Sequence, residues 1–391
     1  MEKETAEVQS APEASKQRLE TALIWILPIF IVIALAFTAF LIWQAFFFDP
    51  PENPPQGEET TTTAPAPDDG GEKPKPSVPV FSGGILPTPP TVTADTVALS
   101  GEVSSRYAVL IDAESGLILA GKDFDVKFSP ASMTKVMTLI VACENLTDEQ
   151  LQSRVTVPAD LNAYVTTGAY KGTDNARFDV YDRVKVEDLL YGISMESFSD
   201  CAILIAALIC PAETFEESER LFVELMNQKA LQLGLQNTHF DNVVGHESAE
   251  NYSTAADVAQ ITAYALQSGM IRSLLSEDMQ QFYIGYTKAD GTDTEYRYTY
   301  FSTLFNSNPD PKSRSRIKSY EEKYGTFALK QGLRFCGGKT GTLGDAASGY
   351  IYSLVSYVTV GDKTYIAVTG ETTLSYGVIK DAKMLYDNYI P

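Results

Sequence analysis

The chain has 391 residues, 44% of them apolar, enough for one large or two modest domains with segments to spare. Its formal charge of -21 leaves no basic footprint, which excludes nucleic acid as a natural partner and reads as a solvated acidic surface. With only two histidines, His239 and His246, a His-built metal site or a Ser-His-Asp triad is hard to assemble, and no cofactor is expected. The cysteines Cys143, Cys201, Cys210 and Cys336 form no CxxC pair, against a zinc ribbon. Cys201 and Cys210 fall on one expected helix about 13 Å apart, beyond disulfide reach, so buried free thiols are expected; a bridge between other pairs stays open.

Residues 1–21 form a short tail. Residues 22–48, ALIWILPIFIVIALAFTAFLIWQAFFF, carry no charge, and as a helix they would be about 40 Å long. That exceeds a signal-peptide core, and no small-residue cleavage site follows directly. Trp25 and Trp43 lie near the ends of the run, as interfacial aromatics do. Lys16 and Arg18 precede it, whereas the next basic residue is Lys73, which predicts a single-pass anchor with a cytoplasmic N-terminus and everything after residue 48 outside. A buried core helix is the alternative, and the lack of a polar face argues against it.

Residues 49–104, rich in Pro, Thr, Glu and Gly, show no hydrophobic periodicity and predict an extended linker. From 105 to 391 the pattern is globular. Tyr107–Asp112 and Gly116–Gly121 predict a hairpin. Ser129 and Pro130 predict the cap and first residue of a helix running over Met133–Cys143. Residues 145–275 are mostly helical in pattern, as at Val186–Ile193, Ser199–Ile209 and Glu216–Leu233. A polar stretch over 287–330 reads as a surface excursion near a cleft. Strands are predicted at Leu333–Thr340, Tyr350–Val360 and Thr364–Thr369, and a last helix at Tyr376–Tyr389. Strands, a helical block, then strands and a helix imply an α/β lobe with an all-α lobe inserted.

Ser132-Met133-Thr134-Lys135 carries chemistry if it is helical, because residues three apart share a face and the lysine then reaches the serine hydroxyl. Such a lysine acts as a base when burial lowers its pKa. The serine sits in a first turn, where backbone N–H groups favour developing negative charge. The spacing alone is weak, since about one such match arises by chance in a chain this long. A second copy, Ser315-Arg316-Ile317-Lys318, lies among charged residues and reads as solvated loop. Ser132 instead precedes an apolar run, where a lysine is an odd choice for packing alone. Lys339-Thr340-Gly341 on a strand edge can meet a carboxylate with charge and a hydroxyl, the glycine allowing close approach.

Together, PASMTKVMT, VEDLLYGISMESFSDCA, GLQNTHFDN with NYSTAADVAQ, and GGKTGTLGDAASGY resemble, in order, the serine D-alanyl-D-alanine carboxypeptidases, the low-molecular-weight penicillin-binding proteins. The resemblance runs from about Tyr107 to Tyr389. It implies a two-lobed β-lactamase/transpeptidase-like fold, an antiparallel sheet flanked by helices plus the inserted all-α lobe. It implies Ser132 as acylated nucleophile, Lys135 as its base and Ser197 as proton relay to the leaving D-alanine. It implies Lys339 and Thr340 as holders of the terminal carboxylate, with Gly341 between them and Thr342. The backbone N–H groups of Ser132 and Thr342 would form the oxyanion hole. The implied partners are peptidoglycan stem peptides ending in D-Ala-D-Ala, with β-lactams as inhibitors. Position 199 departs from the family, which has Asn there; Ser199 is shorter and has a single donor.

Two other readings stand beside this one. A β-lactamase would need a deacylating glutamate; Glu213, Glu216 and Glu217 follow Ser197-Phe198-Ser199, where the family's second motif falls, without the class A setting, and Asp160-Leu161-Asn162 resembles it only superficially. A catalytically impaired wall-binding or β-lactam-sensing ectodomain is the other. His246 reads as a loop group, and Asn242 with Gly245 as a turn.

Overall fold

Two sheets organise the chain. In the computed structural model, residues 80–288, 290–305, 308–310 and 315–391 are described. The apolar run 22–48 expected to cross a membrane lies outside them. Among the described residues no helix is long and apolar enough to do so.

The larger sheet has the order β1-β3-β2-β10-β9-β8, with β1 Val97–Ala98, β2 Tyr107–Asp112, β3 Ile118–Lys122, β8 Arg334–Asp345, β9 Gly349–Val360 and β10 Lys363–Thr372. All its pairings are antiparallel except the short β1–β3 contact. All six residues of β2 are buried, which explains the unbroken apolar run Tyr107–Ile111, for both faces are covered. Alternate residues go to opposite faces. Val109, Ile111, Ile366 and Val368 meet helices α1 (Lys135–Asn145) and α6 (Ala255–Ala265) in one core. Ala108, Leu110, Leu354, Val358 and Ala367 meet α9 (Gly377–Tyr389) in the other.

Between β3 and β8 lies the second lobe. It holds α1, α2 (Asp148–Gln152), α3 (Val186–Tyr191), α4 (Ser199–Ile209), α5 (Phe215–Gln232), α6 and α7 (Gly269–Ser276). It is not all-α. A four-stranded sheet, β4-β5-β6-β7, crosses it, built from Arg154–Thr156, Arg183–Lys185, Met279–Thr287 and Asp293–Phe301. The hairpin β6–β7 pairs from Met279↔Phe301 to Thr287↔Asp293. In β7, EYRYTY alternates polar residues with tyrosine, and Phe282, Tyr298 and Tyr300 pack ring against ring. Tyrosine hides this strand signal: a residue half polar and half apolar blurs the contrast that marks alternation.

The packed unit also takes in residues 80–104, which the sequence assigned to the linker. Phe81 joins the main core, and the N–H groups of Val80 and Phe81 donate to the carbonyls of Leu146 and Cys143 at 2.8 and 3.0 Å. Sparse apolar residues in a proline-rich stretch suffice when a groove already exists to receive them. All four thiols are free; Cys143 and Cys201 are buried, and Cys210 and Cys336 only half-buried.

Candidate active site

The candidate residues lie on the turn before α1, at the start of α4 and on the edge strand β8; the turn packs on β8, and α1 packs on α4. Ser132 lies in a 3-10 turn, Ala131–Thr134, that feeds directly into α1. Ser129 is not the cap expected of it: Pro130 holds that position, and the Ser129 hydroxyl is buried with no hydrogen-bond partner. The tight turn, not an α-helical start, displaced it. Ala131 has φ of +49°, a left-handed conformation that L-residues avoid at a cost of about 1 kcal/mol or more. Gly245 holds this bend from outside: a Cβ there would stand 1.9 Å from the Ala131 carbonyl oxygen. Gly341 of β8 packs on the other side, where a Cβ would lie 3.2 Å from both Ala131 Cβ and the Pro130 oxygen.

Lys135 Nζ lies 3.4 Å from Ser132 Oγ and donates to the Val244 carbonyl at 2.6 Å. The side chain is 1% exposed, and burial lowers its pKa to about 7, against the opposing pull of Asp174, Cys201 and Asp200. A neutral amine keeps one lone pair. With an N–H committed to Val244, that lone pair can face the serine proton.

The loop that offers Val244 is itself built. The Asn242 carbonyl oxygen accepts from the N–H groups of Gly245 and His246 at 2.7 and 2.9 Å, an Asx-type turn. Thr138 Oγ1 donates to the Val243 carbonyl at 2.7 Å. Glu219 accepts from Val243 N–H at 3.0 Å and from the hydroxyls of Tyr170 and Tyr164 at 2.5 and 2.9 Å. Glu219 is buried, and burial pushes its pKa up, so these donors are what let the carboxyl sit there. His246 is exposed, its ring edge-on to Tyr170, as a loop group.

Ser197 ends a π-turn, Gly192–Glu196, in a left-handed conformation with φ of +63°. Ser199 opens α4, its N–H donating to the Asp174 carbonyl at 2.9 Å. The hydroxyls of both serines are buried and have no protein hydrogen-bond partner. Buried polar groups are rarely left so, and both belong to segments that pack on α1, the helix that follows Ser132. Asp200, buried, accepts from the N–H groups of Ala176, Arg177 and Cys201 at 3.1, 3.0 and 2.9 Å and so ties the 174–177 loop to the helix start.

On β8, Lys339 is 1% exposed and donates to the Thr340 carbonyl at 3.2 Å. Its pKa is held well below the usual lysine range by burial first, then by Lys135 and Arg316. Thr340 Oγ1 lies 2.7 Å from Thr303 Oγ1, and Thr342 Oγ1 accepts from Arg316 Nη2 at 2.6 Å.

Of the eight residues singled out in the sequence, Ser132 and Lys135 touch, Gly341 packs against the Ser132 turn, Lys339 lies near enough for Lys135 to act on its charge, and Ser197 and Ser199 belong to the turn and helix start that pack on α1. Sequence reasoning missed Thr303, Arg316, Glu219 and the Val244 carbonyl. Arg316 also corrects the reading of its segment as solvated loop. Ser315 is 1% exposed and caps α8 (Arg316–Tyr324) by accepting Lys318 N–H at 3.2 Å. Arg316 is buried over the Tyr352 ring, its Cζ 4.6 Å from the centroid. A Ser followed by a helical run was the available signal, masked by the surrounding charges.

Of the glutamates weighed for a deacylating role, Glu213, Glu216 and Glu217 are exposed, and Glu217 pairs with Arg220 at 2.7 Å. Asn162 donates to the Phe178 carbonyl at 3.1 Å, a loop contact. Among the described residues no group of His, Cys, Asp and Glu is placed to hold a metal ion.

Comparison with known proteins adds to this geometry. A sequence model of the family described as D-alanyl-D-alanine carboxypeptidase matches residues 91–302. The D-alanyl-D-alanine carboxypeptidase DacC of Escherichia coli (strain K12) is 28% identical over 285 residues, 73% of this chain and 60% of that protein. The D-alanyl-D-alanine carboxypeptidase of Streptomyces sp. (strain K15) is 32% identical over 197 residues, 50% of this chain and 64% of that protein. In each case the chain spans less than two thirds of the relative's length. The crystal structure of the Streptomyces K15 DD-transpeptidase superposes with a TM-score of 0.59 at 25% identity, covering 75% of this chain and all of that one.

Proposed function

The chain belongs to the D-alanyl-D-alanine carboxypeptidase family, and we propose on that footing that it is a serine-type D,D-carboxypeptidase acting on peptidoglycan stem peptides through an acyl-enzyme. The observation that carries the reading is the buried Lys135, its pKa near 7 and its Nζ 3.4 Å from the Ser132 hydroxyl. Neutral Lys135 takes the proton of Ser132 Oγ as that oxygen attacks the carbonyl carbon of the penultimate D-alanine. The oxyanion is received by the backbone N–H groups of Ser132 and Thr342. Ser197 passes a proton to the leaving amine, the C–N bond breaks, and D-alanine departs. Water then attacks the Ser132 ester, releasing the shortened peptide and returning the proton to the hydroxyl. Lys339 and Thr340 hold the terminal carboxylate, and Ser199, where the family has Asn, opens the helix that packs on α1.

In this reading β-lactams acylate Ser132, and the three glutamates above, exposed and outside the class A setting, do not speed their release. Residues 22–48 act as a single-pass anchor with residues 1–21 in the cytoplasm. The proline- and threonine-rich segment after it spaces the catalytic unit from the outer face of a bacterial cell membrane. The apolar length, flanking tryptophans and basic N-terminal side support this placement.

The test is intact mass of residues 73–391, which cluster as one compact unit, mixed with penicillin and followed over time beside Ser132→Ala. A lasting adduct on the unsubstituted protein alone is expected. Rapid drug turnover without an adduct would favour a β-lactamase. An adduct on Ser132→Ala would remove Ser132 as nucleophile, and no adduct on either with the drug intact would favour a binding role.

A further inference from the structure

Thr303 follows β7 and meets Thr340 of the Lys339-Thr340-Gly341 run on β8. Both its backbone groups are committed: its N–H donates to the Met195 carbonyl at 2.9 Å and its carbonyl accepts from Arg316 N–H at 3.1 Å. Its neighbours are tied as well. Phe301 N–H donates to the Glu196 carboxylate at 2.7 Å, Ser302 N–H to the Asp278 carbonyl at 2.9 Å, and Ile317 N–H to the Leu304 carbonyl at 3.0 Å. The segment therefore spans from the residues just before Ser197 to β8. It places Thr303 Oγ1 2.7 Å from Thr340 Oγ1.

The direction of that hydroxyl pair decides what Thr340 can offer a ligand. A hydroxyl has one proton, whereas a carboxylate only accepts. Thr340 can donate to a carboxylate only when Thr303 is the donor in the bond between them. The neighbouring threonine has this arrangement fixed, because a guanidinium never accepts. Arg316 donates to Thr342 Oγ1 at 2.6 Å and leaves the Thr342 proton to point elsewhere.

We propose that Thr303 is a positioning residue for the substrate's terminal carboxylate. Its hydroxyl donates to Thr340 Oγ1 and so turns the Thr340 proton toward the ligand, making the Lys339–Thr340 end of the cleft a row of donors. This rests on the carboxypeptidase reading and adds to it a source of selectivity. A C-terminal carboxamide brings an NH2 donor that such a row cannot satisfy. Without Thr303, the Thr340 hydroxyl is free to rotate and accept from that NH2.

The experiment compares the unsubstituted protein with Thr303→Val, which keeps shape and backbone bonds, and with Thr303→Ser. For each, kcat and KM are measured on an acyl-D-Ala-D-Ala peptide and on its C-terminal carboxamide, alongside a melting curve. Loss of one directed hydrogen bond predicts a KM about 5- to 10-fold higher for the carboxylate peptide in Thr303→Val, with kcat less affected. The preference for carboxylate over carboxamide falls by a similar factor, and Thr303→Ser recovers most of both. A merely structural bond would lower the melting temperature and leave the preference alone; that result, or a Thr303→Ser as impaired as Thr303→Val, overturns the proposal. If the unsubstituted protein neither cleaves the peptide nor is acylated by penicillin, the carboxypeptidase reading itself fails and this inference goes with it. Normal turnover with an unaltered Thr303→Val preference removes the positioning role alone.

Discussion

Two segments of this molecule share the spacing Ser-x-x-Lys, and their structures have little else in common. At Ser132 the serine sits in a 3-10 turn, and its lysine is buried, bonded to a backbone carbonyl, with its pKa lowered to about 7. At Ser315 the hydroxyl is spent on capping a helix, and Lys318 reaches out to the Asp310 carbonyl at 2.9 Å. Spacing brings a lysine near a serine in either place. Only burial of the amine, and a hydroxyl free of backbone duty, make the pair a base and a nucleophile.

The sharpest break between the two is by alanine. Ser132→Ala is expected to abolish the penicillin adduct, whereas Ser315→Ala keeps it. Next in size is Gly245→Ala. A Cβ there meets the Ala131 carbonyl at 1.9 Å, at a φ of +78° that alanine avoids, so the turn carrying Ser132 must shift. A 1 Å displacement of reacting groups is worth roughly 100-fold in rate, and the acylation rate constant is expected to fall by that order. An unchanged rate would show that the Val244 loop does not set the Ser132–Lys135 geometry.

The pH dependence follows from the sign of the lysine shift. The neutral amine is the base, so acylation rises as pH climbs through about 7 and falls as Lys135 protonates below it. Between pH 6 and 8 the rate constant should change roughly tenfold. A flat profile there would deny Lys135 its role. A smaller change is expected from Ser199→Asn, which supplies both an acceptor and donors beside Lys135. A rise of about threefold in acylation rate is expected from one added hydrogen bond. No rise would mean the pocket has adapted around the buried serine. The smallest effect belongs to the other segment: losing the Ser315 cap should cost about 1 kcal/mol of stability, read from denaturant unfolding.

Much of the fold was legible before any coordinates. Ser199–Ile209 is helical over the residues expected, because an uninterrupted apolar run flanked by a non-helical Phe198 leaves few alternatives. β9 and β10 were found as branched, apolar runs. The hairpin β6–β7 was not, because β7 alternates polar residues with tyrosine and β6 shows no alternation at all. The packed residues 80–104 were not, because their few apolar side chains gain a partner only from distant chain. The motif residues were legible as local strings, yet their partners were not: Val244 contributes a carbonyl, which no side-chain pattern records.

The sequence by itself determined the order of the elements, the candidate nucleophile and the residues along β8, since these are written in local runs and spacings. The tertiary structure supplied what makes that serine one partner of a base: the burial of Lys135 and its bond to the Val244 carbonyl. It also brought Thr303 and Arg316 to β8 and made a glycine at 245 the support of a turn at 131. These outcomes depend on burial and on hydrogen bonds between residues far apart in the chain. Desolvation and donor direction belong to a place in three dimensions, and a string of residues does not contain them.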